Sequence, residues 1–294
     1  MSYHSIFRPD LFKGQTIIVT GSGSGIGRCI AHELVSLGAR VVLVGRRLEK
    51  LERVAGEIEA EGGVAVCYAC DIRDEERVQE VVGQMVAKFG VIHGLVNNAG
   101  GQFPAPLETI SGKGFDAVVR NNLTGGFLMA REVYLNSMQK NGGAIVNILA
   151  DFRKGMPRMG HSGAARAGME NFTRTAAVEW AVSGVRVNAV APGWIISSGF
   201  DTYDEETQKG ILRLHHGVPL KRLGVEAEVS AAVAFLLSEG ASFISGATLH
   251  VDGAATLAPS NYELPDHNRS QPYEGFHLTE LPALMRNAKE AESE

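Results

Sequence analysis

The segment Thr20-Gly-Ser-Gly-Ser-Gly-Ile-Gly27 carries the first recognisable chemistry in the chain. It follows the β-branched run Thr16-Ile-Ile-Val-Thr20 and opens a stretch of helical period. Glycines at this spacing between a strand and a helix suit a pyrophosphate. Gly21 permits the tight turn, Gly25 lets backbone approach the phosphates, and Gly27 lets helix and strand pack closely. With Ser24 and Ile26 in the same turn, the helix N-terminus offers free N–H groups and the positive end of its dipole. A plain flexible turn is the alternative, but it gives no reason for a strand and a helix on either side.

The next run, Arg40-Val-Val-Leu-Val44, ends in Gly45-Arg46-Arg47. An acidic residue about here would grip an unphosphorylated ribose, whereas an arginine suits a 2′-phosphate. Arg46 therefore points to NADP(H); the alternative is that Arg46 and Arg47 are solvated helix-start residues. Asp71, followed by Ile72, closes a third run, and its carboxylate could accept from an adenine amino group. Asn97-Asn98-Ala99-Gly100 closes a fourth, with small residues where a nucleotide must pass.

These sites need a sheet to present them. Short apolar runs alternate with helical segments: strands at 16–20, 40–44, 64–70, 92–97, 144–149, 185–190 and 248–251; helices at 26–37, 48–61, 74–89, 114–140, 163–182 and 226–237. Runs apolar on both faces suit a parallel sheet covered on each side. The expected fold is α/β, a single Rossmann-type doubly wound domain with a seven-stranded parallel sheet and ligands outside the strand carboxyl ends.

Composition removes other classes. In 294 residues, 28 basic and 33 acidic side chains give a net charge of −5, with the basic residues scattered. That pattern excludes the footprint of a nucleic-acid or anionic-membrane binder and leaves a small molecule as the partner. With no apolar segment of signal-peptide or membrane-spanning length, a cytoplasmic protein is expected. Cys29, Cys67 and Cys70 are too few for a disulfide framework, and strand geometry turns Cys67 and Cys70 to opposite faces. No metal site is expected, His215 and His216 included, since neither pair has partners in ligand order.

Together, Thr20-Gly-x-x-x-Gly-x-Gly27, Asp71, Asn97-Asn-Ala-Gly100, Asn122, Pro192-Gly193 and Val251-Asp-Gly253 resemble the short-chain dehydrogenase/reductase family, in the right order over nearly the whole chain. The resemblance implies a homotetramer and hydride transfer at a nicotinamide held by Pro192, Gly193, Ile195 and Ser197. The family's Tyr-x-x-x-Lys signature is absent. None of the six tyrosines has lysine four residues later, and aligning on Ala167-Gly168 puts Ser162 and Arg166 in the two places. The usual upstream serine falls at Leu149 or Ala150; Asn122 alone survives of the set.

The string His161-Ser-Gly-Ala-Ala-Arg-Ala-Gly168, with Gly100-Gly-Gln-Phe103 and Tyr262-Glu-Leu-Pro-Asp-His267, is similar to the trans-2-enoyl-CoA reductase branch of the family. The dienoyl-CoA reductases keep the lysine and add a loop tyrosine, where this chain has Asp151. The expected reaction is NADPH-dependent reduction of an enoyl-CoA double bond. Arginine stays protonated and cannot be a general base, but fixed donors can stabilise an enolate without one. Asn122 and Ser162 are assigned to positioning and hydrogen bonding, and Arg166 to the cofactor ribose and local charge. His161 is either titratable or a structural histidine.

Two other readings stay open: a dehydrogenase of an alcohol or aldehyde such as an acyclic terpenoid, or of another acyl-CoA degradation intermediate, and a catalytically silent dinucleotide-binding scaffold. Trp194, Phe200, Tyr203 and Leu212 either line an acyl pocket in a lid at 192–224 or simply pack. Arg153, Lys154 and Arg158 either meet coenzyme A phosphates or form a solvated loop. The domain is expected over 1–254, with 255–294 a tail of which Tyr262–His267 is the ordered part.

Overall fold

The computed structural model describes residues 2–202, 204–259 and 261–286. In chain order the elements are β1 (Thr16–Thr20), α1 (Gly25–Ser36), β2 (Arg40–Gly45), α2 (Leu48–Ala60), β3 (Val64–Ala69), α3 (Glu75–Phe89) and β4 (Gly94–Asn97). Then follow α4 (Gly112–Val119), α5 (Gly125–Val133), α6 (Gln139–Asn141), β5 (Gly143–Ile148), α7 (Gly160–Glu179) and β6 (Val185–Pro192). The chain continues through β7 (Ile195–Ile196), α8 (Glu205–Arg213), β8 (Gly224–Val225), α9 (Glu226–Leu237) and β9 (Thr248–Val251).

Seven parallel strands form one sheet in the order β3-β2-β1-β4-β5-β6-β9, the expected fold. Strand alternation explains why both faces are buried. Ile17 and Val19 of β1 join the layer of Ile30 and Leu34 from α1 and Val229 and Val233 from α9. Ile18 between them joins Val78, Val82 and Met85 of α3 and Met129 of α5 on the other face. Cys67 lies against the first layer and Cys70 in the second, and all three cysteines are free thiols. Because the chain turns to opposite sides of β1 for β2 and β4, a crevice opens at the carboxyl ends of β1 and β4.

The structure differs from the sequence reading where local pattern and tertiary contacts conflict. The segment expected as one helix at 114–140 runs from Gly112 to Asn141 with two π-helical turns, Arg120–Thr124 and Tyr134–Met138. The helix expected from 163 starts at Gly160, which brings His161 and Ser162 into its first turn. β4 begins at Gly94 rather than at Ile92, whose N–H is taken by the Ser137 hydroxyl. The segment 192–224, expected as a lid, holds β7 and the helix α8, and β7 pairs in parallel with β8 at its end.

The tail has an apolar anchor that the sequence reading did not single out. Tyr262 is exposed, whereas Phe276 is buried against Tyr3 and His32 with the Arg28 guanidinium over its ring. An aromatic side chain displaces more water from the back of α1 than the polar segment 262–267 can. That segment is tied down by Lys221–Asp266 and by His267 at the Pro219 carbonyl. Among the described residues, no helix is long and apolar enough to cross a membrane.

Candidate active site

At the crevice the Gly-rich turn behaves as its spacing requires. Gly21 has φ +67°, and a Cβ there would meet Ala99 Cα at 2.8 Å; a Cβ on Gly27 would meet the Gly21 carbonyl oxygen at 2.4 Å. Ser24 precedes α1 without capping it through its side chain, so the first-turn amides are left for a ligand. The turn is anchored to β4 through two side chains. The Thr20 hydroxyl accepts from the N–H groups of Asn98 and Ala99, both at 3.0 Å, and Asn98 Nδ2 donates to the Thr20 carbonyl at 2.9 Å. Asn98 thus shapes the turn with the amide that could otherwise have met a nucleotide.

A cavity of about 310 Å³ runs along this turn and brings together Gly21, Ser24, Ile26, Gly27, Arg46, Asp71, Ile72, Asn98, Ala99 and Gly100. Arg46 is exposed at its rim and has no ion pair among the described residues, as a phosphate-binding cation would be before binding. Lys50, which sequence reasoning missed, shares that wall. Asp71 is already gripped by Arg73, with hydrogen bonds of 2.9 and 2.6 Å, and this pairing holds its carboxyl below the usual range. The first-turn amides, the glycine clearances and the rim arginine fit a dinucleotide.

At the reacting end, a π-helical turn places Asn122. Its Oδ1 accepts from Gly101 N–H at 3.1 Å, while its Nδ2 donates to the Gly101 and Val118 carbonyls at 2.7 and 3.1 Å. Asn122 therefore fixes the loop after β4. Arg166 lies beside it: a Cβ on Gly100 would sit 2.5 Å from both Arg166 Nη2 and Asn122 Oδ1. Arg166 Nη1 donates to the Ile148 carbonyl, and Nε is buried with no partner. Burial pushes its pKa down to about 10, so it remains a cation at neutral pH, with no carboxylate paired to it among the described residues.

The Ser162 hydroxyl donates to Gln102 Oε1 at 2.6 Å. His161 is fully buried, with Nδ1 accepting from Ser162 N–H, its ring edge-on to Phe103 at 4.5 Å, and Nε2 without a partner. Gln102 is the residue of this set whose role the sequence did not reveal; glutamine in a loop has no spacing signal. Asp151, at the exit of β5, is pushed up by burial and by the charge of Asp252, with His250 opposing.

Several candidates fall outside the dinucleotide cavity. Ser197 lines it, but Ile195 lines a second cavity of about 370 Å³ with Trp194, Leu220 and His250. Pro192 and Gly193 are held by backbone, the Pro192 carbonyl accepting from Asp151 N–H and Gly193 N–H donating to the Val251 carbonyl. Phe200 and Leu212 pack with Ile211 and Leu223 within the segment 192–224, and Tyr203 lies outside the described residues. The basic loop is largely committed to structure. Arg153 pairs with Glu170 at 2.9 Å, and Lys154 donates to the Ala255 and Ala258 carbonyls, leaving Arg158 exposed.

Comparison with known proteins agrees with this architecture. A family model described as Enoyl-(Acyl carrier protein) reductase matches residues 21–256. The chain is 37% identical over 248 residues, 83% of its length and 98% of the relative's, to a probable 2,4-dienoyl-CoA reductase [(2E)-enoyl-CoA-producing] of Bacillus subtilis (strain 168). Among solved structures, a citronellol catabolism dehydrogenase of Pseudomonas aeruginosa PAO1 is 63% identical with a TM-score of 0.78, over 86% of this chain and 100% of that one. A protein from Beutenbergia cavernae described as an NAD(P) dependent gluconate 5-dehydrogenase, with bound NADP at low occupancy, is 31% identical with a TM-score of 0.79, over 85% and 100%. With the crevice, the turn and the site in place, the chain belongs to the short-chain dehydrogenase/reductase family of nicotinamide-dependent oxidoreductases.

Proposed function

We propose that this protein is an NADP(H)-dependent reductase of the conjugated double bond of an enoyl-CoA. The observation that carries the reading is Arg166, a buried cation with no carboxylate partner among the described residues, beside Ser162 and in the absence of a Tyr-x-x-x-Lys pair. The bound nicotinamide would supply hydride to Cβ. Charge then develops on the thioester oxygen as an enolate, which a fixed guanidinium is suited to stabilise, joined by the Ser162 hydroxyl when it turns from Gln102, and water would then deliver the proton to Cα. Carbonyl reduction instead needs a proton delivered in step with hydride, which neither arginine nor serine provides well. Arg46 would hold the 2′-phosphate. Residues 1–254 would carry this machinery, 192–224 as the lid, 255–294 as an accessory tail, and the active form would be a homotetramer.

A second reading is oxidation of an acyclic terpenoid alcohol or aldehyde, favoured by the 63% identity to the citronellol catabolism dehydrogenase. Purified protein assayed with NADPH against enoyl- and dienoyl-CoA esters, and with NADP and NAD against citronellol and citronellal, separates the two. The enoyl-CoA panel is expected to turn over. Terpenoid turnover alone would replace the first reading by the second, and cofactor binding without any turnover would leave a scaffold.

A further inference from the structure

Glu226 is the first residue of α9 and is buried, 2% exposed, where α9 meets α1. Its Oε1 lies 3.8 Å from the position that a Cβ on Gly25 would occupy, and the Ser197 hydroxyl lies 3.9 Å from the same point. Gly25 opens α1 at the phosphate-binding turn, and Ser197 lines the dinucleotide cavity. A carboxyl group is thus built into the back of a site whose ligand brings two negative charges. An ionised carboxylate there would be desolvated and would repel the diphosphate.

The neighbours do not neutralise it. From α1, Arg28 attracts its charge, but Arg28 is already paired with Glu57 at 2.7 Å and with Glu280 of the tail at 3.3 Å. Glu280 itself repels Glu226, and Cys29 of α1 faces it as a neutral thiol held far above its ordinary range. Glu57 and Glu280 also pair with Arg53, at 3.8 and 3.1 Å, whereas Glu226 makes no ion pair among the described residues. Burial, and then Glu280, push the Glu226 pKa up to about 8, against the pull of Arg28.

We propose that Glu226 is a proton-linked residue of the dinucleotide site: the cofactor binds to the form in which Glu226 is a neutral carboxylic acid, so binding in alkaline solution takes up one proton. Cofactor affinity is then constant at neutral pH and falls as Glu226 ionises, approaching a tenfold loss per pH unit, the limit for one linked proton. The inference rests on the dinucleotide reading of the turn and not on the enoyl-CoA reading.

The test is the NADPH and NADH dissociation constant, from nucleotide fluorescence, across about pH 6.5 to 9.5. NADH removes the 2′-phosphate, which titrates near about 6. Wild-type affinity for both nucleotides is expected to fall above about pH 8. Glu226→Gln, which keeps the shape of the neutral acid, is expected to bind equally well throughout. Glu280→Gln, which removes the repelling neighbour, is expected to start losing affinity at lower pH than wild type. Calorimetry in two buffers of different ionisation enthalpy is expected to show proton uptake in wild type and none in Glu226→Gln. A flat wild-type profile, or an unchanged slope in Glu226→Gln, overturns the proposal. Failure to bind either nucleotide at neutral pH overturns the dinucleotide reading as well.

Discussion

Arg166 Nη1 donates to the Ile148 carbonyl oxygen at 2.6 Å, so a permanent cation is held at the end of β5 by a backbone acceptor and not by a carboxylate. A buried charge without a partner costs stability, and a fold tolerates it only where something else requires it. Arg166→Met keeps the volume and removes the charge. It is expected to leave the melting temperature unchanged or raise it, while kcat for the reductase reaction falls by about 10²–10³, the usual loss for one fixed donor. Thermal unfolding and steady-state kinetics check both halves. A variant that melts much lower and turns over normally would make Arg166 a structural residue.

Gly100 is where the two site residues leave no room. A Cβ there would press on Arg166 Nη2 and Asn122 Oδ1, each 2.5 Å away. Asn122 cannot yield easily, since its amide is tied in both directions to Gly101. Gly100→Ala is therefore expected to displace the guanidinium and lower kcat by about 10², the cost of an ångström-scale misplacement. Far-UV circular dichroism should remain that of the wild type. Full activity in the variant would show that the exact place of Arg166 does not matter.

Arg46 stands at the rim of the dinucleotide cavity with no ion pair among the described residues. A charge-assisted contact to a 2′-phosphate contributes about 1.5–3 kcal/mol, so Arg46→Ala is expected to weaken NADPH by about 10- to 150-fold and NADH hardly at all. Fluorescence titration with both nucleotides gives the ratio. Equal losses for the two would take Arg46 off the 2′-phosphate, and no loss for either would make it a solvated helix-start residue.

What could be read from the sequence follows how far each signal extends along the chain. The Gly21–Gly27 turn and the seven strands are local patterns, legible from periodicity and turn chemistry to within a residue or two at their ends, and Arg46 is at the rim of the cavity along that turn. Asn122 is named through resemblance, but its π-helical turn is not legible, because nothing in Arg120–Thr124 distinguishes an extra residue per turn from an ordinary helix. Gln102 and Glu226 were invisible for a different reason. Each matters through a partner 60 or about 200 positions away, Ser162 for one and Gly25 for the other, and no spacing rule connects them. The tail's anchor is hidden for the same reason: in sequence Phe276 is one aromatic in a polar stretch, and its partners Tyr3, Arg28 and His32 lie far away along the chain.

The raised carboxyl groups at the interface of α1 and α9 also predict how stability varies with pH. Glu226 is pushed up to about 8 and Glu33 is raised in the same direction, both by burial. In the unfolded chain each returns to about 4.3, the ordinary glutamate value. For Glu226 folding therefore takes up a proton between these limits, and the stability it contributes is complete below about pH 4 and is lost as pH rises toward about 8, with Glu33 acting in the same direction. His32 works in the opposite sense. Burial lowers its pKa, so its contribution is present above about pH 6.5 and is lost as pH falls. The difference between wild type and Glu226→Gln cancels both His32 and Glu33, which the two proteins share. The melting temperature of Glu226→Gln relative to wild type is expected to climb between about pH 5 and 8 and to level off above, because over that range the unfolded wild type releases a proton that the folded protein keeps. Melting curves for the two proteins that stay parallel over this range would mean that Glu226 is charged in the folded protein at neutral pH.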